Sequence, residues 1–159
     1  IGVSFGGVMA QEMSFFLKIK KIIIISSVKS KHEIPYKLKI LKIIPVYRLI
    51  PNRFLDNTKN IVKYGLGIKT KNKLHLYQKY LSVQDTQYLK WAIKQMVGWK
   101  RVNEIENIIH IHGDKDPIFP IKKIKNCIVV PGGTHIMLIV KFKWLNDNLP
   151  SIISGDYTE

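Results

Sequence analysis

The chain has 159 residues, of which 46% are hydrophobic and 23% are charged. These values are typical of one globular domain, and they exclude a mostly disordered chain, a collagen-like chain and a disulfide scaffold. No apolar run reaches the about 18 to 20 residues that a membrane-spanning helix needs, so we expect no transmembrane segment.

The chain carries a formal net charge of +15, from 26 Lys and Arg against 11 Asp and Glu. Only Arg48, Arg53 and Arg101 are arginines. Arginine is the residue preferred for bidentate contacts to phosphate and guanine, so we expect no nucleic-acid partner. The codon bias of an AT-rich genome explains an excess of Lys beside Ile and Asn. A polyanion or an anionic membrane surface as partner is the alternative.

The single cysteine, Cys127, lies in an apolar run and has no second cysteine to pair with. This pattern predicts a buried structural thiol and fits a reducing compartment, and we expect a cytoplasmic protein. The sequence starts at Ile1 without a Met or a secretory signature, and we expect it to be a fragment of a longer protein.

The predicted elements begin with a helix over residues 5–18, where apolar residues recur at helical spacing. A continuous β-branched run at 21–27 predicts a strand that is covered on both faces. The next stretch is mainly helical, with segments over 35–50, 52–64, 70–81 and 85–99. No strand is predicted between residues 34 and 100.

Two further strands and one helix follow. The strands are predicted at 107–112 and 127–131, and each is closed by a glycine-containing turn. The helix is predicted over 136–148, ended by Asn148 and Pro150, with a frayed tail over 150–159. Strands that alternate with helices indicate an α/β fold with a parallel sheet. The helical stretch 34–106 is then an insertion between core segments 1–33 and 107–149.

Three turns of this fold each present one reactive side chain, at Ser4, Asp116 and His135. They lie in the strings Gly-Val-Ser-Phe-Gly, His-Gly-Asp-Lys-Asp and Gly-Gly-Thr-His. Sites in open α/β sheets form in the loops at the carboxyl ends of the strands. A G-x-S-x-G turn before a helix exposes the serine hydroxyl, and its flanking glycines avoid clashes across the turn. The N–H of Phe5 is placed to bind an oxyanion.

A serine hydroxyl needs a base to become a strong nucleophile, and His135 is the best candidate for that base. The base in turn needs a carboxylate that orients it, for which Asp116 is the candidate. Asp114, two residues earlier, is a rival acid. Each of these residues taken alone is more often a cap, a surface residue or a turn former.

The chain order Ser, Asp, His, with each residue after its own strand, resembles the α/β-hydrolase superfamily over residues 1 to 149. The resemblance implies Ser4 as nucleophile, Asp116 as triad acid and His135 as base. It also implies a helical cap at 34–106 and acyl transfer to water without a metal or organic cofactor. The substrate we expect is a small hydrophobic ester, thioester or similar acyl compound.

The sequence departs from the family pattern in two ways. Only nineteen residues separate Asp116 from His135, so the helix usual at this point is reduced to the link 119–126. The front half of the superfamily's fold, with its first strands and its second oxyanion donor, does not appear in the sequence. We therefore expect a partial fold that is poorly folded or inactive alone, with an oligomeric state that the sequence leaves open.

Three alternatives stay open. The string His110-x-His112-x-Asp114 places two imidazoles on one strand face and suggests a metal site. The fold also hosts binding proteins that lack catalysis, so a non-catalytic or truncated binding module is possible. Finally, aromatic residues among lysines suggest a nucleic-acid stacking surface formed by Tyr77, Tyr80, Tyr88, Trp91 and Trp99.

Overall fold

The computed structural model describes residues 1–43 and 86–158. Four parallel strands form one sheet in the order β1 (Gly2–Val3), β2 (Ile23–Ile25), β3 (Ile109–Gly113) and β4 (Ile128–Val130). Val3 pairs with Ile25, Ile25 with Ile111, and Ile111 with Ile128. All four strands therefore end at the same edge of the sheet, and the predicted α/β class with a parallel sheet is confirmed.

Five helices accompany the strands in the described ranges: α1 (Phe5–Met13), α2 (Tyr36–Ile43), α3 (Thr86–Gly98), α4 (Met137–Val140) and α5 (Phe142–Ser154). A short 3₁₀-helix over Ile121–Lys123 lies between β3 and β4, where the sequence predicts only a reduced link. Helix α1 ends at Met13, five residues before the predicted end. The Ser14 hydroxyl donates to the Gln11 carbonyl at 2.7 Å, a local bond that competes with helix continuation.

The predicted ending of the last helix at Asn148 and Pro150, with a frayed tail from residue 150, is wrong. The helix is interrupted at Lys141, but its second part, α5, includes Pro150 and continues to Ser154. Ile152 is only 2% exposed, and its burial in the core compensates for the backbone bond that proline removes. Gly155, with φ 102°, then ends the helix in a left-handed cap.

The two faces of the sheet pack against different clusters. The apolar cluster consists of Ile23, Ile25, Ile111, Val130, Met137, Leu145 and Ile152. The second cluster consists of Val8, Val28, Ile34, Met96, Phe119 and Ile124. Because successive side chains of a strand point to opposite faces, His110 and His112 lie on the face opposite Ile111. The two central strands, β2 and β3, are therefore covered on both sides, as the continuous apolar sequence of β2 predicts.

The insertion predicted over 34–106 is described only at its two ends. Helices α2 and α3 contact each other, and α3 matches the helix predicted over 85–99. The helices predicted over 52–64 and 70–81 lie outside the described residues, as do Arg48, Arg53, Tyr77 and Tyr80. None of the helices in 1–43 and 86–158 combines the length and the apolar character that crossing a membrane requires.

Candidate active site

Ser4 occupies a strained turn between β1 and α1. Its backbone has φ 52° and ψ −122°, a conformation that costs a non-glycine residue about 1–3 kcal/mol. Three hydrogen bonds hold the turn in place. The Ser4 N–H donates to the Ile25 carbonyl at 2.9 Å. The Ser4 carbonyl accepts from the Gly7 N–H at 2.9 Å and from the Ser27 hydroxyl at 2.7 Å.

Glycine is required on both sides of this turn, but only one of the two required positions, Gly2, is a glycine of the G-x-S-x-G string. A side chain at Gly2 would collide with the backbone of Gly6 and Gly7. A side chain at Gly7 would collide with Ser27. At Gly6, by contrast, an added Cβ would have no neighbour within 4 Å. The expectation that both flanking glycines avoid clashes is therefore correct for Gly2 and wrong for Gly6, because Gly7 is the residue that lies against β2.

The structure brings Ser4, His135 and Asp116 into one continuous chain of hydrogen bonds. The Ser4 hydroxyl lies 2.9 Å from His135 Nε2. On the other side of the imidazole, His135 Nδ1 lies 2.9 Å from Asp116 Oδ2. A carboxylate can only accept, so Nδ1 carries the proton and Nε2 is left to accept the hydroxyl proton of Ser4. This is the arrangement that a base needs to activate a serine.

Asp116 rather than Asp114 contacts the histidine. The Asp116 side chain is fully buried, and its Oδ1 accepts the N–H groups of Ile118 at 2.8 Å and of Phe119 at 2.9 Å. Asp114 Oδ1 instead accepts the N–H of Gly132 at 2.6 Å. Its carboxylate therefore stabilises the loop that carries His135. The chain direction after Gly113 turns one acid toward the imidazole and the other toward the neighbouring loop.

The loops after β3 and β4 approach each other closely at two glycines. A side chain at Gly113 would collide with the backbone of Gly133, and a side chain at Gly133 would lie 2.9 Å from the Gly113 Cα. The Lys115 N–H also donates to the Gly133 carbonyl at 2.9 Å. This contact sets the separation between the loops that carry Asp116 and His135.

The surroundings of Ser4 include a helix N-terminus and several aromatic rings. Phe5 is the first residue of α1, and the first N–H groups of a helix have no acceptor within the helix. The Phe5 ring packs edge-on against Trp91 of α3 at 5.5 Å, and Trp91 lies 5.8 Å from Tyr88. Phe119 packs against the His135 imidazole at 5.4 Å. The turn of Ser4 therefore leads directly into a helix N-terminus, and aromatic rings pack against Phe5 and His135.

The two histidines proposed as alternative metal ligands bond to each other. His110 Nε2 lies 3.1 Å from His112 Nδ1, and His112 Nε2 lies 2.7 Å from the Phe119 carbonyl oxygen. Burial lowers the pKa of His110 to about 3, and burial also lowers the pKa of His112. In the described part of the chain, no group of three or more His, Cys, Asp and Glu side chains is arranged to hold a metal ion.

Sequence reasoning missed Gly7, Gly113, Gly133, Phe119 and His112 as determinants of this geometry. The sequence contains one signal for a close approach between backbone segments, which is the paired glycines in Gly6-Gly7 and Gly132-Gly133. Phe119 and His112 carry no comparable local signal. Their importance depends on contacts between the strand β3 and the turn that follows it.

Similar solved structures support the fold at low sequence identity. A protein named as a non-heme bromoperoxidase from Mycobacterium tuberculosis aligns with a TM-score of 0.66 and 10% identity, over 99% of this chain and 66% of its own. A bromoperoxidase from Bacillus anthracis aligns with a TM-score of 0.63 and 17% identity, over 96% and 66%. An esterase from Thermogutta terrifontis aligns with a TM-score of 0.61 and 11% identity, over 99% and 64%.

These neighbours have the α/β-hydrolase fold, and the chain therefore has part of that fold, as the sequence predicts. It spans about two thirds of the length of each of these structures. No protein-family profile matches the sequence, and no curated protein sequence matches it.

Proposed function

We propose that this protein is a serine hydrolase that cleaves a carboxylic ester, a thioester or a similar acyl bond. Ser4 is the nucleophile, His135 is the general base and Asp116 is the acid that orients it. The observation that carries this proposal is the unbroken pair of 2.9 Å contacts from Ser4 through His135 to Asp116. The strained backbone of Ser4 is a second support, because strain of this kind concentrates at functional sites.

In the proposed reaction His135 Nε2 removes the proton of the Ser4 hydroxyl while the oxygen attacks the substrate carbonyl. Asp116 holds the imidazole in the tautomer that can accept this proton and stabilises the imidazolium that forms. The Phe5 N–H donates to the oxyanion, an interaction worth roughly 3 kcal/mol per donor in comparable sites. His135 then protonates the leaving group, and water repeats the attack to release the acid.

The proposed substrate is small and hydrophobic in its acyl part. This is supported by the aromatic rings near the nucleophile, where Phe5 follows it directly and packs against Trp91. Trp91 is 44% exposed, so part of this apolar surface is accessible. A substrate held against such a surface is bound by burial of its apolar atoms rather than by charge.

A fluorophosphonate probe tests the proposal directly, because it forms a stable adduct with an activated serine. We expect mass spectrometry to locate the adduct at Ser4 and expect no labelling of Ser4→Ala. Ser154→Ala, a substitution at an exposed serine of α5, is the matched control and keeps full labelling.

Hydrolysis of 4-nitrophenyl esters of increasing acyl length tests the substrate class, and we expect short hydrophobic chains to be preferred over charged ones. Equal labelling of the protein and of Ser4→Ala would overturn the hydrolase proposal. An unlabelled protein that still binds hydrophobic acids would instead support the alternative of a non-catalytic binding module.

A further inference from the structure

His112 is a fully buried polar residue that the proposed reaction does not use. It lies on β3, one residue before the strand ends at Gly113, and its side chain is 0% exposed. Its Nε2 is 2.7 Å from the Phe119 carbonyl oxygen and 3.6 Å from Asp116 Oδ2. The first distance is a short hydrogen bond, whereas the second is too long for one.

The partners of His112 define which of its nitrogens carries the proton. A carbonyl oxygen can only accept, so Nε2 must be the donor toward Phe119. Burial keeps the ring neutral because it lowers the pKa of His112. Nδ1 is then an acceptor, and it takes the Nε2–H of His110 at 3.1 Å. The two imidazoles therefore form a chain of donors directed from His110 through His112 to Phe119.

Phe119 connects this chain to Asp116 and His135, the two residues that continue the hydrogen-bond chain from Ser4. Its N–H donates to Asp116 Oδ1 at 2.9 Å, and its ring packs against His135 at 5.4 Å. Phe119 itself is only 2% exposed. A displacement of the Phe119 carbonyl would therefore move the N–H that orients the acid and the ring that supports the base.

We propose that His112 is a positioning residue for Asp116 and His135, and that it acts by holding the Phe119 carbonyl while His110 holds His112 in the Nε2–H tautomer. The catalytic consequence of this role rests on the function proposed above, whereas the tautomer and the contact do not. His112 thus acts on the reaction through Phe119 and does not touch the reacting atoms.

Nuclear magnetic resonance of protein labelled with ¹⁵N-histidine tests the tautomer without any need for activity. At neutral pH we expect His110 and His112 to be neutral and protonated at Nε2. A His112 ring protonated at Nδ1 alone, or at both nitrogens, would overturn the proposed direction of the chain.

Two substitutions at residue 112 then separate positioning from packing. His112→Leu preserves bulk but removes the donor, whereas His112→Gln places an amide N–H near the position of Nε2. We expect the rate of fluorophosphonate labelling per folded molecule to fall about tenfold or more in His112→Leu, which corresponds to the loss of one hydrogen bond. We expect His112→Gln to recover most of this loss.

Ile111→Val is the matched control, because Ile111 is equally buried on the same strand but faces the apolar cluster. We expect it to lower the midpoint of thermal unfolding without changing the labelling rate. Labelling of His112→Leu at the rate of the unmodified protein would overturn the proposal, and so would equal losses in the Leu and Gln variants.

A second readout, which does not require activity, distinguishes failure of the proposed function from failure of the positioning role of His112. If the unmodified protein is not labelled, the resonances of the Phe119 amide and of the His135 ring become the readout. His112→Leu should then shift both and His112→Gln should restore them, and unshifted resonances would overturn the positioning role. Should His112→Leu fail to fold, the tautomer measurement and the Gln variant decide.

Discussion

The two faces of the sheet differ in chemistry although they are formed by the same three-residue and five-residue strands. On β3, Ile111 packs with the apolar cluster under α4 and α5, and we call this side of the sheet the apolar face. His110 and His112 lie on the opposite side, which we call the histidine face. Side chains of the apolar face make hydrophobic contacts, which do not depend on orientation as hydrogen bonds do. Side chains of the histidine face make hydrogen bonds, each of which fixes the position of a partner.

The histidine face holds several other buried polar groups that bond to backbone near the site. Gln11, which is fully buried, donates through Nε2 to the carbonyl of Gly7 at 3.1 Å and to that of Val28 at 2.8 Å. The Ser27 hydroxyl donates to the Ser4 carbonyl. These bonds connect α1 to the loop after β2, and they hold the turn that carries Ser4.

An ion pair between the buried Lys29 and the exposed Glu104 extends the same pattern away from the site. Lys29, whose side chain is 2% exposed, lies 2.7 Å from Glu104, and its N–H donates to Glu33 at 2.6 Å. Buried polar groups are expensive unless they are satisfied, so their partners are closely specified. Substitutions on the apolar face should therefore change stability, whereas substitutions on the histidine face should change the positions of the site residues.

The largest effect that we expect on the histidine face comes from Asp116→Asn. The amide would donate to His135 Nδ1, so the imidazole proton would move to Nε2 and the ring could not accept the Ser4 proton. We expect kcat for ester hydrolysis to fall about 10⁴-fold, as for other triads with this change. The control is Asp114→Asn, where the acid bonds to Gly132 instead, and we expect less than about tenfold loss. Equal losses would contradict the assignment of Asp116.

The next largest effect is expected on the apolar face, where stability rather than activity should change. Leu145 of α5 is 4% exposed in the apolar cluster. Leu145→Ala should lower the free energy of unfolding by about 2–5 kcal/mol, measured by urea denaturation. Ile153→Ala, at a residue of the same helix that is 47% exposed, should change it by less than about 0.5 kcal/mol.

The labelling rate per folded molecule should be unchanged in Leu145→Ala. A large loss of labelling in the folded fraction would show that the apolar face also positions the site, and the contrast between the two faces would then fail.

How far the sequence predicts this molecule also differs between the two faces. The β-branched run at β2 and the glycine turns after β3 and β4 are local signals, so these three strands could be predicted from them, whereas the two-residue strand β1 could not. The apolar face follows from the same runs. The end of α5 could not be predicted, because Pro150 is a local stop signal and the burial of Ile152 that overrides it is a tertiary contact.

On the histidine face, the residue types of the candidate site could be predicted from the sequence. Which of two neighbouring residues of the same type contacts the site could not. Ser4 and His135 stand in recognisable turns. The choice between Asp114 and Asp116 depends on the direction in which the chain leaves Gly113, and no local pattern contains that direction. His110 and His112 in a strand suggest a metal site by spacing, whereas their contacts with each other and with Phe119 depend on the folded turn.

Acid should destabilise the protein through the histidine face. The folded protein keeps His110 neutral down to a pKa of about 3, whereas an unfolded histidine takes up a proton near pH 6.5. Between these values the unfolded state binds more protons, so stability falls as the pH falls. At pH 5 the contribution of His110 is about 2 kcal/mol, and the lowered pKa of His112 acts in the same direction.

Burial raises the pKa of Glu33, which favours the folded state as the pH falls and partly offsets the histidines. The measurement is therefore a difference between urea unfolding at pH 7.5 and pH 5, compared between the unmodified protein and His110→Gln. Glutamine does not titrate, so we expect its variant to lose about 2 kcal/mol less on acidification. Parallel pH dependences would show that His110 is not held neutral in the folded state.

The smallest effect concerns the strain at Ser4. Glycine adopts a φ of 52° without the penalty that a side chain imposes, although it loses more backbone entropy on folding. Because the two contributions have opposite signs, we expect Ser4→Gly to be more stable than Ser4→Ala by only about 1 kcal/mol. Chemical denaturation of the two variants measures this difference, and both lack the proposed nucleophile.

The matched control is Ala10→Gly in the interior of α1, where the backbone is helical. Glycine in place of alanine should there destabilise the protein by about 1 kcal/mol. If glycine is more stabilising than alanine at position 4 and less stabilising at position 10, the turn at Ser4 is strained and does not merely tolerate glycine. If Ser4→Gly is instead less stable than Ser4→Ala, the turn carries no strain that glycine relieves. The hydrogen bonds of the residue 4 backbone with Ile25, Gly7 and Ser27 would then define a conformation that alanine adopts equally well.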